Sequence, residues 1–366
     1  MDVIQNITMA TLLTPQPIQE SDGLDQYEDI VKPGEETRLR LVSAGINYIA
    51  IAISMFGMGC VISTKDFSRK ELHLPQSVMI GLLLQYVIQP LVGYLLAAGL
   101  GMSVYDALAM IILSTSPVSP FCAVLVYYGD GFVIVGLCLA MFSTALAIGL
   151  MPMYFSLYSS TWSEDYYIIA TPHEILVYEM LIFVPTAFGV LFKRYAGLKR
   201  GRIVAKICSS SFIISVVLVA IFNVVDHPDH YIGDWRLWLG GSLLPLIGFL
   251  CGFFLAFVLQ LPYEACSAVS LAVGTPNWTI ATSLAWRFFL NDETALHEVL
   301  TLVSIFAIAM PLEGCIWSVM YRAIEEFFQR IYPKCCHGAE EDEDEVKVAG
   351  ESKLGELKLD DDLDIS

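Results

Sequence analysis

Charged side chains are scarce in this sequence: Asp, Glu, Lys and Arg make up 16% of 366 residues, where a soluble domain carries roughly 25%. Enzyme signatures are missing as well. There is no H-E-x-x-H, no G-x-S-x-G, no Walker A loop and no pair of His at metal-ligand spacing, so the chain reads as neither an enzyme nor a metalloprotein. The six His are dispersed: His73, His173, His227, His230 and His297 fall in loops or at span edges and His337 in the tail, and they read as structural or solvated. The nine Cys make no disulfide framework. Cys60, Cys122, Cys138, Cys208 and Cys251 are scattered through apolar segments, where Cys behaves as a small hydrophobe. The first fifteen residues lack a basic stretch followed by an apolar run, so no cleavable signal peptide is expected there. Nothing suggests a cofactor or a nucleic-acid partner.

What is abundant is apolar length. Hydrophobic residues make up 56% of the chain, and a helix needs about 20 of them in a row to cross the hydrocarbon of a bilayer. Nine spans are expected, at about 43–62, 77–99, 107–123, 131–155, 173–192, 203–224, 237–260, 264–290 and 298–321. A membrane β-barrel is excluded, because its strands alternate in polarity rather than forming solid apolar runs. The expectation is therefore an all-α, polytopic protein of the lipid bilayer. Lys65, Arg69 and Lys70 follow the first span, and Lys193, Arg194, Lys199, Arg200 and Arg202 follow the fifth, while the alternate loops are poor in base. That asymmetry places the N-terminus outside and the C-terminus in the cytoplasm, with the plasma membrane as the expected location. The sequon Asn6-Ile7-Thr8 then lies where glycosylation is allowed. A second sequon, Asn277-Trp278-Thr279, falls inside a span and reads as coincidence.

The net charge of −18 sits mostly in the tails. Residues 1–37 carry eight acidic residues and one basic, and residues 335–366 carry twelve and three. The chain thus divides into an acidic extracellular tail (1–42), a membrane body (43–321) and an acidic cytoplasmic tail (322–366) that reads as solvated and unstructured. A cytosolic partner for that last tail is an alternative. Cys335 and Cys336, just past the last span, are candidates for palmitoylation, with two free thiols as the other reading.

The informative features are two interrupted spans. The third reads "STSPVSPFCAV", with Pro117 and Pro120 inside it; the eighth reads "AVGTPNWTIATS", with Gly274 and Pro276. Proline removes a backbone donor and costs roughly 3 kcal/mol in a helix interior. Irregular backbone at membrane depth is tolerated only where protein or a wet cavity surrounds it. The third span is the middle of spans two to four and the eighth is the middle of spans seven to nine. An offset of five spans makes the two sets enter the membrane from opposite sides, as inverted-topology repeats do, and paired breaks mark a transporter's binding site.

Several segments, in order, resemble the bile acid–sodium symporter family. They are Met55–Cys60 with Phe67, Gln85–Leu91 ("QYVIQPL"), Thr115–Pro117, Tyr128–Asp130 ("YGD"), Pro185–Lys193, Leu243–Phe253 and Leu312–Cys315 ("LEGC"). The resemblance covers about residues 50–330. It implies a two-domain carrier. Spans two to four and seven to nine (77–155 and 237–321) would form a core whose two broken helices cross near the midplane. Spans one, five and six (43–62 and 173–224) would form a panel. The implied substrate is a bile acid, a sulfated steroid or another organic anion, bound between the two, with sodium as the coupling ion.

The chain departs from the family at its sodium ligands. Where the family usually has E-T-G-x-Q-N, the matching residues run from Ala272 to Asn277, so Ala272 replaces a carboxylate and Pro276 a glutamine. Serine and threonine ligands of span four fall on Gly136 and Ala140, whereas Gln85 and Asn277 are kept. Candidate substrate or ion contacts are Gln85, Ser116, Ser119, Ser143, Thr144, Thr275, Asn277 and Thr279. Ser114, Thr115 and Thr282 are further hydroxyls, and Glu313 reads as structural because "LEGC" has a family counterpart. A sodium-coupled carrier, a sodium-independent uniporter or exchanger, and a non-transporting receptor or scaffold all remain open.

Overall fold

The computed structural model of the chain describes residues 35–62, 73–162, 172–226, 228–231, 234–289 and 292–331. Asn6, Cys335, Cys336 and both acidic tails before 35 and after 331 lie outside these residues. The described residues are almost wholly helical. They comprise α1 (Glu35–Gly59), α2 (Leu74–Leu83), a π-helical turn (Leu84–Ile88), α3 (Gln89–Gly99), α4 (Val104–Thr115), α5 (Phe121–Tyr128) and α6 (Val133–Ser159). They continue with α7 (Pro172–Ala196), α8 (Leu198–Asp226), a short 3₁₀ turn (Pro228–Tyr231), α9 (Trp235–Val258), α10 (Tyr263–Val273), α11 (Trp278–Phe289) and α12 (Glu293–Ile331). The β pairing found among them is one isolated bridge, Val118 with Pro276.

Six helical segments are long and apolar enough to cross a membrane: Leu74–Gly99, Val133–Ser159, Leu176–Ala196, Leu198–Val225, Trp235–Val258 and Glu293–Phe327. At the first, third and eighth expected spans stand shorter apolar helices, Gly45–Gly59, Val104–Thr115 and Tyr263–Val273. Two boundaries differ from the expectation. The basic segment after the fifth span is not a loop, since α7 and α8 are separated by Gly197 alone, at φ 84°. Its amide closes on Lys193 O at 2.9 Å, a helix stop that needs the left-handed conformation glycine adopts without strain. Charged residues lie within those helix ends because a helix can run past the hydrocarbon.

α1 packs against α7 and α8, and α10 against α9. Glycine makes these approaches close. A Cβ at Gly59 would sit 2.2 Å from Thr186 O, and one at Gly189 would sit 2.1 Å from Phe56 O. On α9, a Cβ at Gly248 would meet Gly274 Cα at 2.9 Å and one at Gly252 would meet Ser270 Cα at 2.7 Å. Apolar burial drives no association in lipid, so backbone contact of this kind supplies the packing. The chain separates into two compact units, Met1–Ser318 and Val319–Ser366. In the second, Arg322 Nε pairs with Glu326 Oε1 at 3.1 Å.

Candidate functional site: two broken helices joined at their breaks

Both predicted interruptions are real, and local chemistry explains each. α4 stops at Thr115 because Ser116 precedes Pro117 and is driven to an extended conformation, φ −64° and ψ 146°. Pro120 at φ −55° then opens α5, as a ring with fixed φ suits a helix start. α10 ends at Val273 with Gly274 as its cap. Thr275 and Pro276 cannot continue the helix, and α11 restarts at Trp278.

The two breaks satisfy each other. Ser119 N donates to Thr275 O at 2.8 Å and Asn277 N donates to Pro117 O at 2.8 Å, on either side of the Val118–Pro276 pair. Pro276 brings no N–H to the pairing, so it leaves no donor unpaired. Unpaired groups at this depth would cost several kcal/mol each. Surrounding side chains take up the rest. Gln85 Nε2 donates to Ser116 O at 2.7 Å, and Val118 N donates to Ser143 Oγ at 3.0 Å. Gln89 Nε2 donates to Val273 O at 3.1 Å and Leu244 O at 3.4 Å, while Ser270 Oγ donates to Phe249 O at 2.6 Å. Tyr86 OH donates to Ser143 O.

Asn277 joins most of these elements. Its Oδ1 accepts from Thr279 N at 3.1 Å and Ile280 N at 3.3 Å, capping α11. The same oxygen accepts from Tyr178 OH of α7 at 3.3 Å. One turn along, Asn47 Nδ2 of α1 donates to Thr279 Oγ1 at 3.0 Å. Three amide atoms remain buried without a partner: Gln85 Oε1, Gln89 Oε1 and Asn277 Nδ2. Two acceptors and one donor are therefore held ready for a solute, an ion or water. A narrow crevice lies between α1, α8, α11 and α12, lined by Asn47, Val216, Asn223, Trp278 and Ala307 among others.

Of the sequence-derived candidates, Gln85, Ser116, Ser119, Ser143, Thr275 and Asn277 converge on the crossing, all of them buried. Pro117, Pro120, Gly274 and Pro276 form the breaks as expected. Thr279 lies one turn further along α11. Thr144 donates to Ala140 O of its own helix at 2.7 Å rather than to either break. Ser114, Thr115, Ser116 and Thr275 also return their hydroxyl protons to carbonyls of their own helices, and Thr282 does so to Trp278 O. Sequence reasoning missed Gln89, Tyr86, Asn47 and Tyr178. Gln85 and Gln89 are four residues apart in an apolar span, a visible signal. The π-helical turn that brings both inward is not readable from composition.

The crossing contains no formal charge. Among the described residues, the buried polar side chains are Ser, Thr, Gln, Asn and one His, with no buried Asp or Glu. Ala272 lies fully buried where the family resemblance would place a carboxylate. Gly136 packs on α5, where a Cβ would meet Cys122 Sγ at 3.2 Å, and Ala140 O is occupied by the Ser143 and Thr144 hydroxyls. A hard monovalent cation needs several oxygens and draws much of its stabilisation from negative charge, so this residue set does not fit the family's sodium sites.

The resemblance read from the seven motifs agrees with comparison to known proteins. Residues 48–227 match the profile of the Sodium Bile acid symporter family. Over 300 residues the chain is 28% identical to the rabbit (Oryctolagus cuniculus) ileal sodium/bile acid cotransporter, covering 82% of this chain and 83% of that one. It is 27% identical to the Homo sapiens ileal sodium/bile acid cotransporter over 300 residues, 82% of each chain. Against the Rattus norvegicus sodium-dependent organic anion transporter it is 25% identical over 303 residues, covering 81% of this chain and 80% of the relative. The chain is a relative of the Sodium Bile acid symporter family.

Proposed function

We propose that the protein is a secondary carrier for amphipathic organic anions of the bile acid or steroid sulfate type, and that it works without sodium. The observation that carries the first part is the pair of broken helices hydrogen-bonded at their breaks, with three unpartnered amide atoms buried at the crossing. The names of the relatives support the anion class. In this reading α1, α7 and α8 act as a panel and the remaining helices of the membrane body as a core. Solute binds between them near the crossing. The unpartnered Asn277 Nδ2 donor, at the positive end of the α11 dipole, suits an anionic group. Alternating access then moves core against panel, breaking and remaking Asn47–Thr279 and Tyr178–Asn277. We place the N-terminus outside the plasma membrane, with Asn6 open to glycosylation. Cys335 and Cys336 are open to palmitoylation, and the acidic C-terminal tail is open to a cytosolic partner.

Sodium independence is supported by the uncharged crossing, with Ala272, Pro276, Gly136 and Ala140 at the matching positions. The test is initial uptake of a labelled bile acid and a labelled steroid sulfate in cells expressing the protein, with external sodium or choline. We expect rates equal within experimental scatter. A fall of roughly fivefold or more in choline, the low end of a thermodynamic coupling, overturns sodium independence. No uptake of either anion above untransfected cells overturns the anion carrier.

The crossing also makes a stability prediction. Ser143→Ala removes the acceptor of the buried Val118 N–H, which costs about 1–3 kcal/mol. We expect a lower thermal midpoint for the purified variant, and an unchanged midpoint would show that the break does not depend on this bond.

A further inference from the structure

One intramembrane carboxylate has no role in the site described above. Glu179 lies within the apolar segment Leu176–Ala196 of α7. It directly follows Tyr178, whose hydroxyl reaches Asn277 and whose ring meets Tyr48 edge-on at 6.4 Å. The carboxyl therefore lies near the depth of the crossing. The residue is half-buried, and its Oε2 is sealed from solvent without a hydrogen-bond partner. On α12, Glu313 also has a buried Oε2 without a partner, but its carboxyl interacts with the Ser242 hydroxyl, whereas Glu179 has no such neighbour.

Among the described side chains, the helices packed on α7 bring Glu179 no counter-charge. They are α1, α6 and α8. The titratable groups on described side chains of α1 and α6 are Tyr48, Cys138, Tyr154 and Tyr158. On α8 the cations Lys199, Arg200, Arg202 and Lys206 cluster at the end next to Gly197, with Cys208 just beyond. At 1.5 Å per residue, Lys206 is about 13 Å from that hinge and Glu179 about 27 Å. On α7 itself Lys193 and Arg194 lie at the same far end. Across the interface, the nearest bonded group is the amide of Asn277.

We propose that Glu179 is a proton-binding site that links solute movement to the movement of a proton. This rests on the carrier reading above. An ionised carboxylate enclosed in low dielectric without a partner is strongly disfavoured against its neutral acid, and such a residue at membrane depth marks a proton or ion path. Where the cleft between panel and core opens to water, the ionised form is stable again. Alternating access thus lets the carboxylate take a proton on one side, becoming –COOH, and return it on the other; no other bond changes. A monoanion carried with one proton moves no net charge, which suits a crossing without formal charge.

Two arms test this on the full-length protein. In the first, purified protein in lipid vesicles is treated with dicyclohexylcarbodiimide, which reacts with protonated carboxyls in apolar surroundings, and labelled peptides are read by mass spectrometry. We expect labelling at Glu179 that declines as pH rises. Absent labelling at acidic pH, or labelling independent of pH, overturns the proposal whatever the transport result. In the second arm, uptake of the labelled bile acid and steroid sulfate is followed across external pH for the native chain, Glu179→Gln and Glu179→Asp. We expect native uptake to rise as external pH falls, a flat profile for Glu179→Gln at undiminished surface expression, and recovery of the slope by Glu179→Asp. Native-like pH dependence in Glu179→Gln overturns proton linkage while leaving the anion carrier intact. No uptake by the native chain, with pH-dependent labelling of Glu179, refutes the anion substrate and keeps the proton site.

Discussion

Asn277→Ala should reduce uptake to background while the protein still reaches the cell surface. The carboxamide oxygen has three donors, Thr279 N, Ile280 N and Tyr178 OH. Losing a helix cap costs about 1 kcal/mol, and each buried donor left unpaired adds about 1–3 kcal/mol. A loss of about 2 kcal/mol in the binding-competent arrangement alone lowers affinity roughly thirtyfold. The fold itself survives, because the backbone bond from Asn277 N to Pro117 O at 2.8 Å does not involve the side chain. Surface biotinylation measured beside initial uptake separates the two effects. Asn277→Asp refines the result: it keeps the acceptor for all three donors and removes the Nδ2 donor, which has no partner in the protein. We expect this variant also to lose uptake. Native-like transport by Asn277→Ala would sink the assignment of the crossing as the binding site.

The second large effect is on assembly. Gly189→Leu should retain the protein inside the cell, with surface expression near background. A Cβ at Gly189 would lie 2.1 Å from Phe56 O and 2.9 Å from both Cys60 N and Gly59 Cα. These are backbone atoms of α1, so no side-chain rotation relieves the clash. The helices must separate, and close contact is what holds helices together in lipid. Gly59→Ala, facing Thr186 O at 2.2 Å, should act in the same direction with a smaller effect, since one methyl displaces less than an isobutyl group. Gly149→Ala is the control: a Cβ there has nothing within 4 Å, and expression should be unchanged. Normal surface levels of Gly189→Leu would mean that α1 and α7 do not need this approach.

The two tests address different links in one chain. The α1–α7 contact fixes where Asn47 and Tyr178 stand, and those residues bond Thr279 and Asn277 at the start of α11. Misplacing the pair disturbs the site without touching it. A packing glycine and a binding amide are therefore distinguishable only when surface level and uptake are measured together.

The amino-acid sequence by itself determined the membrane environment, the helical class and the places where two helices stop. These follow from local physics: long apolar runs have one stable solvent, and the clustered breakers Ser116-Pro117 with Pro120, and Gly274 with Pro276, disfavour helix more than the single Pro152, Pro185, Pro245 and Pro311 that stay inside helices. The missing carboxylate at Ala272 was legible too, through comparison of motifs. The candidates that stand at the breaks, Gln85, Ser143, Thr275 and Asn277, are polar residues in apolar spans, which is a short-range signal. Only the tertiary structure decided that the breaks bond to each other, because the Val118–Pro276 pair joins residues more than 150 positions apart. It likewise decided that Gln89 turns inward through a π-helical turn, that Asn47 and Tyr178 reach across to α11, and that Gly197 alone separates two long helices. Those outcomes depend on which helices lie side by side, and periodicity within a helix carries no record of its neighbour. Glu179 combines both kinds of information. Its residue type and its apolar segment were written in the chain, while its depth beside the crossing and the lack of a counter-charge among the described side chains came from the packing of α1, α6 and α8 around it.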